Sequence, residues 1–175
     1  MKRSASSLSD SLVTLNNWIE QACLIGAVPV ITGMNGDMDT VGSAISLAAS
    51  HPNMMACGLH LGRISKRVCT ELGAPFKKIT NNSDLPSNIG GIIIVDAASE
   101  SQIGFELPEG IPKCIIDHHE SNSWQFSSSD LMIKMNVSAT TEIIAKYLIN
   151  HSHSTLTEPV RKLLLAGLIT DSGRF

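Results

Sequence analysis

The chain has 175 residues, a length that predicts one domain with at most a short additional arm. Its composition, 43% hydrophobic and 17% charged, is that of a globular protein and excludes a disordered or fibrous one. The formal net charge of −3 argues against a strongly basic nucleic-acid-binding module and leaves open a local basic surface. Aromatic residues make up only 4% of the chain, so we expect an aliphatic core.

The predicted elements alternate between helices and strands. In chain order, an arm (1–8) precedes a helix that begins at residue 9 and ends at Gly26, a strand (27–32), a helix (40–50), a strand (54–59), a helix (61–72), three strands (76–79, 91–95 and 113–116), an edge strand (131–135) and two helices (138–149 and 157–169). Several of these strands are apolar throughout. This pattern favours an α/β fold with a mainly parallel sheet and helices on both faces.

The cysteines and the chain start predict the compartment. Cys23, Cys57, Cys69 and Cys114 lie far apart in apolar or amphipathic runs without a CxxC pair, so we expect buried, reduced thiols. No stretch approaches the roughly 20 apolar residues of a membrane span. The basic start is not followed by the apolar region of a secretory signal. We therefore expect a cytoplasmic protein with no membrane partner.

Acidic side chains follow three of the predicted strands. Asp37 and Asp39 lie in a tight turn after the first strand. Asp96 directly follows the strand 91–95, and Asp117 directly follows the strand 113–116. In parallel sheets ligands bind beyond the carboxyl ends of the strands, so we expect these carboxylates to gather there. A cation would relieve the repulsion between carboxylates two residues apart.

Histidines next to Asp117 change the expected metal. His118 and His119 follow it directly, and Asp171 follows the last helical run. Carboxylates alone suit magnesium or calcium, whereas added imidazole shifts the preference towards manganese, iron, cobalt or zinc. Several carboxylates and a histidine can hold two divalent ions, which together bind a phosphate and activate a water.

Four segments occur in the order found in a known superfamily. They are Asn35-Gly36-Asp37-Met38-Asp39 with Gly42-Ser43, then Asp96, then Asp117-His118-His119, and finally residues 167–175, GLITDSGRF. A DHH triplet alone means little, but four ordered motifs are specific. From residue 27 to 175 the chain resembles the DHH phosphoesterase superfamily of RecJ-like nucleases, manganese-dependent pyrophosphatases, exopolyphosphatases and nano-RNase/pAp phosphatases.

The resemblance implies a role for each site residue. Asp37 and Asp96 would hold one metal, while Asp39, Asp96, His118 and Asp171 would hold a second. His119 would face the substrate phosphate as a catalytic donor, and Asp117 would orient the histidines. Gly42 and Ser43 would bind substrate by letting a helix start close to the site, where free N–H groups favour anions.

One position departs from the family pattern. The first motif normally opens with a histidine four residues before its first aspartate, and that position is Gly33 here. The proline before that aspartate is also replaced, by Gly36. The first metal site would thus be weakened by the loss of an imidazole ligand, which water or another side chain such as His60 could replace.

The resemblance implies a phosphoesterase with two divalent cations, manganese first and magnesium or cobalt as alternatives. It would hydrolyse phosphodiester or phosphomonoester bonds of short oligonucleotides or small nucleotides with an activated water. Two alternatives stay open: a degenerate domain that binds a nucleotide or a protein partner without turnover, and a pyrophosphatase or exopolyphosphatase. Family members usually carry a C-terminal substrate-binding lobe, so residues 9–175 would be the DHH catalytic domain without it. A homodimer is left open.

A basic stretch accompanies the predicted helix 61–72 and the predicted strand 76–79. Its residues are Arg63, Lys66, Arg67, Lys77 and Lys78. They are interpreted either as a solvated helix face or as a surface that steers a phosphorylated substrate.

Overall fold

The computed structural model describes residues 8–173, which form five α-helices and six β-strands. The elements are α1 (Leu8–Ile25), β1 (Val28–Thr32), α2 (Met38–Ala48), β2 (Met54–Gly58), α3 (Arg63–Leu72), β3 (Lys77–Lys78), β4 (Ile92–Val95), β5 (Lys113–Asp117), β6 (Leu131–Lys134), α4 (Thr140–His151) and α5 (Glu158–Asp171). Seven residues of the predicted arm, 1–7, lie outside the described residues, and residue 8 begins α1.

The strands form one sheet in the order β3-β2-β1-β4-β5-β6, and every neighbouring pair is parallel. The prediction of an α/β fold with a parallel sheet is therefore confirmed. The strand β6 lies at an edge of the sheet, as expected. Because all strands run in the same direction, the chain leaves the sheet after β1, β4 and β5 at one common edge.

Both faces of the sheet are covered, but by different structures. The buried side chains of all five α-helices join one apolar cluster, to which the strands contribute residues such as Val30 and Ile93. On the other face Ile31 and Ile94 pack against loop residues and Trp124. Two short 3-10 helices, Asn82–Asp84 and Glu100–Gln102, lie in the connections between strands. These connections lack the apolar periodicity of an α-helix. Among residues 8–173 all five α-helices pack on the first face, so the prediction of helices on both faces is met on the second face only by the 3-10 helices.

The described part of the chain bears out the expectation for the cysteines. All four cysteines are free and buried. Among residues 8–173, no helix combines the length and the apolar character needed to cross a bilayer.

Helices α2 and α5 pack closely because each contributes a glycine to the contact. A Cβ atom at Gly42 would lie 2.8 Å from the backbone oxygen of Leu163. A Cβ atom at Gly167 would lie 3.1 Å from the backbone oxygen of Met38 in α2, and 2.5 Å from Cγ2 of Thr141 in the neighbouring helix α4. This close approach brings the end of α5, with Asp171, to the carboxyl edge of the sheet.

We expect Gly42→Ala to destabilise the domain. Alanine normally stabilises a helix interior by about 0.5–1 kcal/mol relative to glycine, but here its methyl group would meet backbone atoms of α5. Overpacking of this kind costs about 1–3 kcal/mol. Chemical denaturation of the variant and the wild type measures the difference. An unfolding free energy equal to that of the wild type or higher would contradict the proposed helix contact.

Candidate metal centre

Four of the predicted ligands converge at the carboxyl edge of the sheet. The turn after β1 carries Asp39 at the start of α2, Asp96 follows β4, His118 follows β5, and Asp171 ends α5. Nε2 of His118 lies 3.3 Å from Oδ2 of Asp171, 3.5 Å from Oδ1 of Asp96 and 3.9 Å from Oδ2 of Asp39. One imidazole nitrogen thus faces three carboxylates.

Asp39 is held by the beginning of α4. Its side chain is 1% exposed, and its two oxygens accept hydrogen bonds from the backbone N–H groups of Thr140 (2.7 Å) and Thr141 (2.8 Å). The hydroxyl of Thr141 donates a third, at 2.7 Å. The first N–H groups of a helix have no partner within the helix, and they stabilise a negative charge. This explains how a buried carboxylate is tolerated here.

Asp96 has an unusual backbone conformation. Its φ is +57°, and it is the only residue other than glycine with positive φ among those described. Aspartate and asparagine are the residues besides glycine that best tolerate this region, at some energetic cost. Oδ1 of Asp96 accepts a hydrogen bond of 3.1 Å from the hydroxyl of Thr140. The turn directs the carboxylate away from the strand and towards His118.

The backbone sets the tautomer of His118. Its Nδ1 lies 3.3 Å from the carbonyl oxygen of Val137. Because a carbonyl can only accept, the proton of the neutral ring belongs on Nδ1, and Nε2 keeps its lone pair directed at the carboxylates. This is the arrangement found in metal-binding histidines.

The clustered charges shift the pKa values of several groups. Hydrogen bonding to Asp96 and the charges of Asp96 and Asp39 raise the pKa of His118 to about 9. Burial, with the charge of Asp96 in addition, raises the pKa of Asp39 to about 7. Burial also raises the pKa values of Asp37 and Asp171. The cluster therefore retains protons near neutral pH that a divalent cation would displace.

Asp37 lies on the other side of Asp96 and caps α2. Its Oδ1 accepts from the N–H of Thr40 at 3.0 Å, and its Oδ2 accepts from the side-chain amide of Asn35. Asp37 and Asp96 line a cavity of about 140 Å³ together with Gly33, Met34, Asn35, Gln102, His119 and Asp171. Asp37 belongs to neither of the two metal-ligand groups found among the described residues, Asp96-His118-His119 and Asp39-His118-Asp171.

Gly33 lines this cavity at the position where the family pattern has histidine. A Cβ atom there would lie 3.2 Å from the backbone oxygen of Asp96 and 3.3 Å from Oδ1 of Asn35. The position thus has room for a side chain after a small adjustment. His60 lines a separate cavity with Lys66 and Lys78. It does not line the metal cavity, so the arrangement gives no support to His60 as a replacement ligand.

Asp117 and His119 form a pair next to the cluster. Nδ1 of His119 lies 2.6 Å from Oδ1 of Asp117, whose side chain is fully buried. The other oxygen, Oδ2, has no hydrogen-bond partner among residues 8–173. His119 is 44% exposed and lines the 140 Å³ cavity. The carboxylate thus orients the ring and leaves Nε2 available to a ligand.

Gly42 and Ser43 lie one turn inside α2 and are buried. Gly42 faces α5, and the Ser43 hydroxyl has no hydrogen-bond partner in the described part of the chain. Neither lines the 140 Å³ cavity. Their predicted contact with substrate stays a prediction, whereas the structure gives Gly42 a packing role.

Sequence reasoning did not single out four residues that build the site. Thr140 and Thr141 hold Asp39 and Asp96, Asn35 donates to Asp37, and Gln102 lines the cavity. The threonines lie near the start of the predicted helix 138–149, and Asn35 lies within the first motif. No sequence signal pointed to Gln102, which is placed by the 3-10 helix after Asp96.

Cavity size does not locate this site. A larger cavity, of about 720 Å³, lies between α2, β2 and the beginning of α5 and is mostly apolar. The smaller cavity at the carboxyl edge has the titratable groups. Chemistry rather than volume therefore identifies the candidate site.

The donor set fits a divalent cation. Ligand atoms around an octahedral ion with bonds of about 2.1 Å lie about 3 Å apart, and the distances from His118 Nε2 to the carboxylates are slightly longer. Carboxylates with one imidazole suit manganese and related ions. The two ligand groups share His118. The residues present therefore suit more than one ion, and the Asp39 side has the more complete set of ligands.

Comparison with known proteins gave similarities in fold and family. A search of the curated proteins found no match. A Methanococcus jannaschii protein assigned as a family II inorganic pyrophosphatase has a TM-score of 0.68 and 24% identity, covering 83% of this chain and 49% of that one. An exopolyphosphatase-related protein from Bacteroides fragilis has a TM-score of 0.62 and 13% identity, covering 99% of this chain and 52% of that one.

These two structures share the fold, and the chain spans about half of the length of each. The family model described as "DHH family, N-terminal domain" matches residues 27–168. That range includes the Asp37–Asp39 turn, Asp96 and the Asp117-His118-His119 triplet, and it covers most of the chain. The chain therefore belongs to the DHH family.

Proposed function

We propose that this domain is a divalent-metal-dependent phosphohydrolase that cleaves phosphoester or phosphoanhydride bonds with water. One observation carries the proposal: three carboxylates face Nε2 of His118 beside a cavity that His119 also lines. Manganese is the proposed metal. Short oligonucleotides and small nucleotides are the proposed substrates, and the names of the two structural neighbours add pyrophosphate and polyphosphate as candidates.

Two sets of ligands are proposed. One cation would be held by Asp39, Asp96, His118 and Asp171, and another by Asp37 and Asp96 on the Gly33 side. Such ions, when bound, neutralise phosphate oxygens and lower the pKa of a water. Once His118 is neutral, the carbonyl of Val137 holds its remaining proton on Nδ1 and leaves Nε2 free to bind an ion, and the first N–H groups of α4 orient Asp39.

His119 is the proposed donor to the substrate. Asp117 accepts a hydrogen bond from its Nδ1, which keeps the ring in one orientation. Nε2 of His119 is then the atom available to a phosphate oxygen or to the leaving oxygen. Protonation of the leaving oxygen is the step that this side chain would assist.

Gly33 favours a second candidate function. Without an imidazole at this position, the first cation has Asp37 and Asp96 as its carboxylate ligands. A site that binds phosphate compounds without hydrolysing them would follow if this cation were not retained. Calorimetric titration with manganese, beside a hydrolysis assay, separates the two functions: tight nucleotide binding without turnover under any divalent metal would favour the second.

We expect Asp96→Asn to abolish manganese binding and turnover together while the protein stays folded. Asparagine tolerates the positive φ at this position and can still accept from Thr140, whereas Asp96→Ala adds backbone strain of about 1–2 kcal/mol. Hydrolysis of dinucleotides, pAp, cyclic dinucleotides, pyrophosphate and polyphosphate is measured with manganese. Glu109→Gln, an exposed carboxylate outside the site, is the charge-matched control. Full manganese-dependent hydrolysis in the Asp96 variants would refute the proposal.

Replacing Gly33 by histidine is expected to strengthen the first metal site. The new imidazole would arise next to Asp37 and Asp96 and supply a third protein ligand. Gly33→Ala introduces the same Cβ without a ligand and is the matched control. Manganese titration should show a higher affinity or a second binding event in the histidine variant alone. If the two variants bind manganese alike, another group already occupies the position.

Manganese affinity is expected to rise with pH. His118, with a pKa of about 9, must lose its proton to become a ligand, and Asp39, with a pKa of about 7, must be ionised. Each displaced proton makes the apparent affinity rise about tenfold per pH unit below the pKa of its group. Titrations in buffers of different ionisation enthalpy should also show protons released on binding. An affinity independent of pH between the two pKa values would contradict this assignment.

A further inference from the structure

Basic residues are concentrated in the segment that follows β2. Residues 60–78 contain five of the chain's 13 lysines and arginines, and Glu71 is the only acidic residue among them. The chain as a whole has a net charge of −3. The excess of positive charge in this segment is therefore local.

Three of these cations have no protein partner, and two do. Arg67 forms an ion pair with Glu71 at 2.9 Å, and Nζ of Lys77 donates to the backbone oxygen of Asp84 at 2.7 Å. Within residues 8–173, the side chains of Arg63, Lys66 and Lys78 form neither a hydrogen bond nor an ion pair. All three are exposed.

Among residues 8–173, one of the three unpartnered cations lines a cavity that adjoins the metal cavity, and the other two line a separate cavity. A cavity of about 270 Å³ shares Asn35 and Asp37 with the 140 Å³ metal cavity and reaches Arg63 at the beginning of α3. A third cavity, of about 300 Å³, is lined by His60, Leu61, Lys66, Phe76 and Lys78.

The chain fixes these cavities relative to the metal site. The backbone N–H of Gly62 and the hydroxyl of Ser65 both donate to the backbone oxygen of Gly36, at 2.7 and 2.8 Å. Gly36 directly precedes Asp37. The start of α3, and with it Arg63 and Lys66, is thereby attached to the turn that carries the first candidate ligand.

We propose that Arg63, Lys66 and Lys78 form a binding surface for a linear chain of phosphates that extends from the metal cavity across the beginning of α3. The inference rests on the proposed function, because it takes the metal cavity as the end at which the chain is cleaved. The acidic metal centre receives the terminal phosphate group, and the side chains of Arg63, Lys66 and Lys78 bind the phosphates that follow. A substrate with several successive phosphates would bind better than one with a single phosphate.

Two kinds of molecule carry such a chain: a single-stranded oligonucleotide and an inorganic polyphosphate. Phe76 lines the third cavity between Lys66 and Lys78 and is only partly buried. Aromatic side chains beside cations are typical of single-strand binding, where bases stack on the ring. An effect of Phe76→Leu on oligonucleotide binding alone would identify the oligonucleotide as the occupant. If Phe76→Leu binds the oligonucleotide and the polyphosphate as tightly as the wild type does, the surface recognises the phosphate chain itself.

The test measures binding without turnover. A fluorescent pentathymidylate is titrated with the full chain in EDTA, and tripolyphosphate is used as a competitor. The variant carries Arg63→Gln, Lys66→Gln and Lys78→Gln. The matched control carries Arg67→Gln, Arg161→Gln and Lys162→Gln; the last two lie in α5, roughly 14 Å along the helix from Asp171. Both triple variants remove three positive charges.

We expect the variant to bind either ligand roughly tenfold more weakly than the wild type and the control to bind like the wild type. The slope of log affinity against log salt, measured between about 50 and 200 mM, is negative. Its magnitude should decrease by about 2 because three phosphate contacts are lost. Equal loss in the control, no loss in the variant, or no binding by the wild type would overturn the inference. The outcome is independent of the proposed function, which fails separately if no substrate is hydrolysed with any divalent metal.

Discussion

The contact between the Asp39 carboxylate and the first turn of α4 is the constraint on which the site depends. Residues 39 and 140 are 101 positions apart in the chain, and their hydrogen bond connects the start of α2 to the start of α4. A buried carboxylate without partners would carry a large desolvation cost. The N–H groups of Thr140 and Thr141 have no partner in their own helix. They and the buried carboxylate therefore satisfy each other's hydrogen-bonding requirement.

Two other parts of the site follow from the position of α4. Thr140 also donates to Asp96, which fixes the carboxylate that both candidate metal positions share. The loop that enters α4 presents the carbonyl of Val137 to His118, and this contact decides which ring nitrogen faces the carboxylates. A single helix terminus thus orients ligands that come from α2, β4 and β5. The glycine contact between α2 and α5 adds Asp171 from the opposite side.

Much of this arrangement was predictable because it depends on local pattern. Unbroken apolar runs such as 92–95 predicted buried parallel strands, and an aspartate at the end of a parallel strand must lie at the ligand-binding edge. The partners of those aspartates were not predictable. The bonds of Thr140 and Thr141 join residues about a hundred positions apart, and nothing in their local sequence specifies the partner. The same holds for Gly42, which was predicted to contact substrate and packs against α5, since only the helix crossing reveals that role.

The distribution of charge imposes an order on binding. The carboxylates of Asp37, Asp96 and Asp171 line the cavity at the carboxyl edge, and Asp39 is buried near His118. Arg63, Lys66 and Lys78 lie outside this cavity on α3 and β3. A phosphate entering the cavity would be repelled by these carboxylates until cations neutralise them. The basic surface has no such requirement. A phosphate chain could therefore be bound on α3 before the metal centre is filled, but its terminal phosphate would enter the cavity only after the carboxylates and His118 have exchanged their protons for cations.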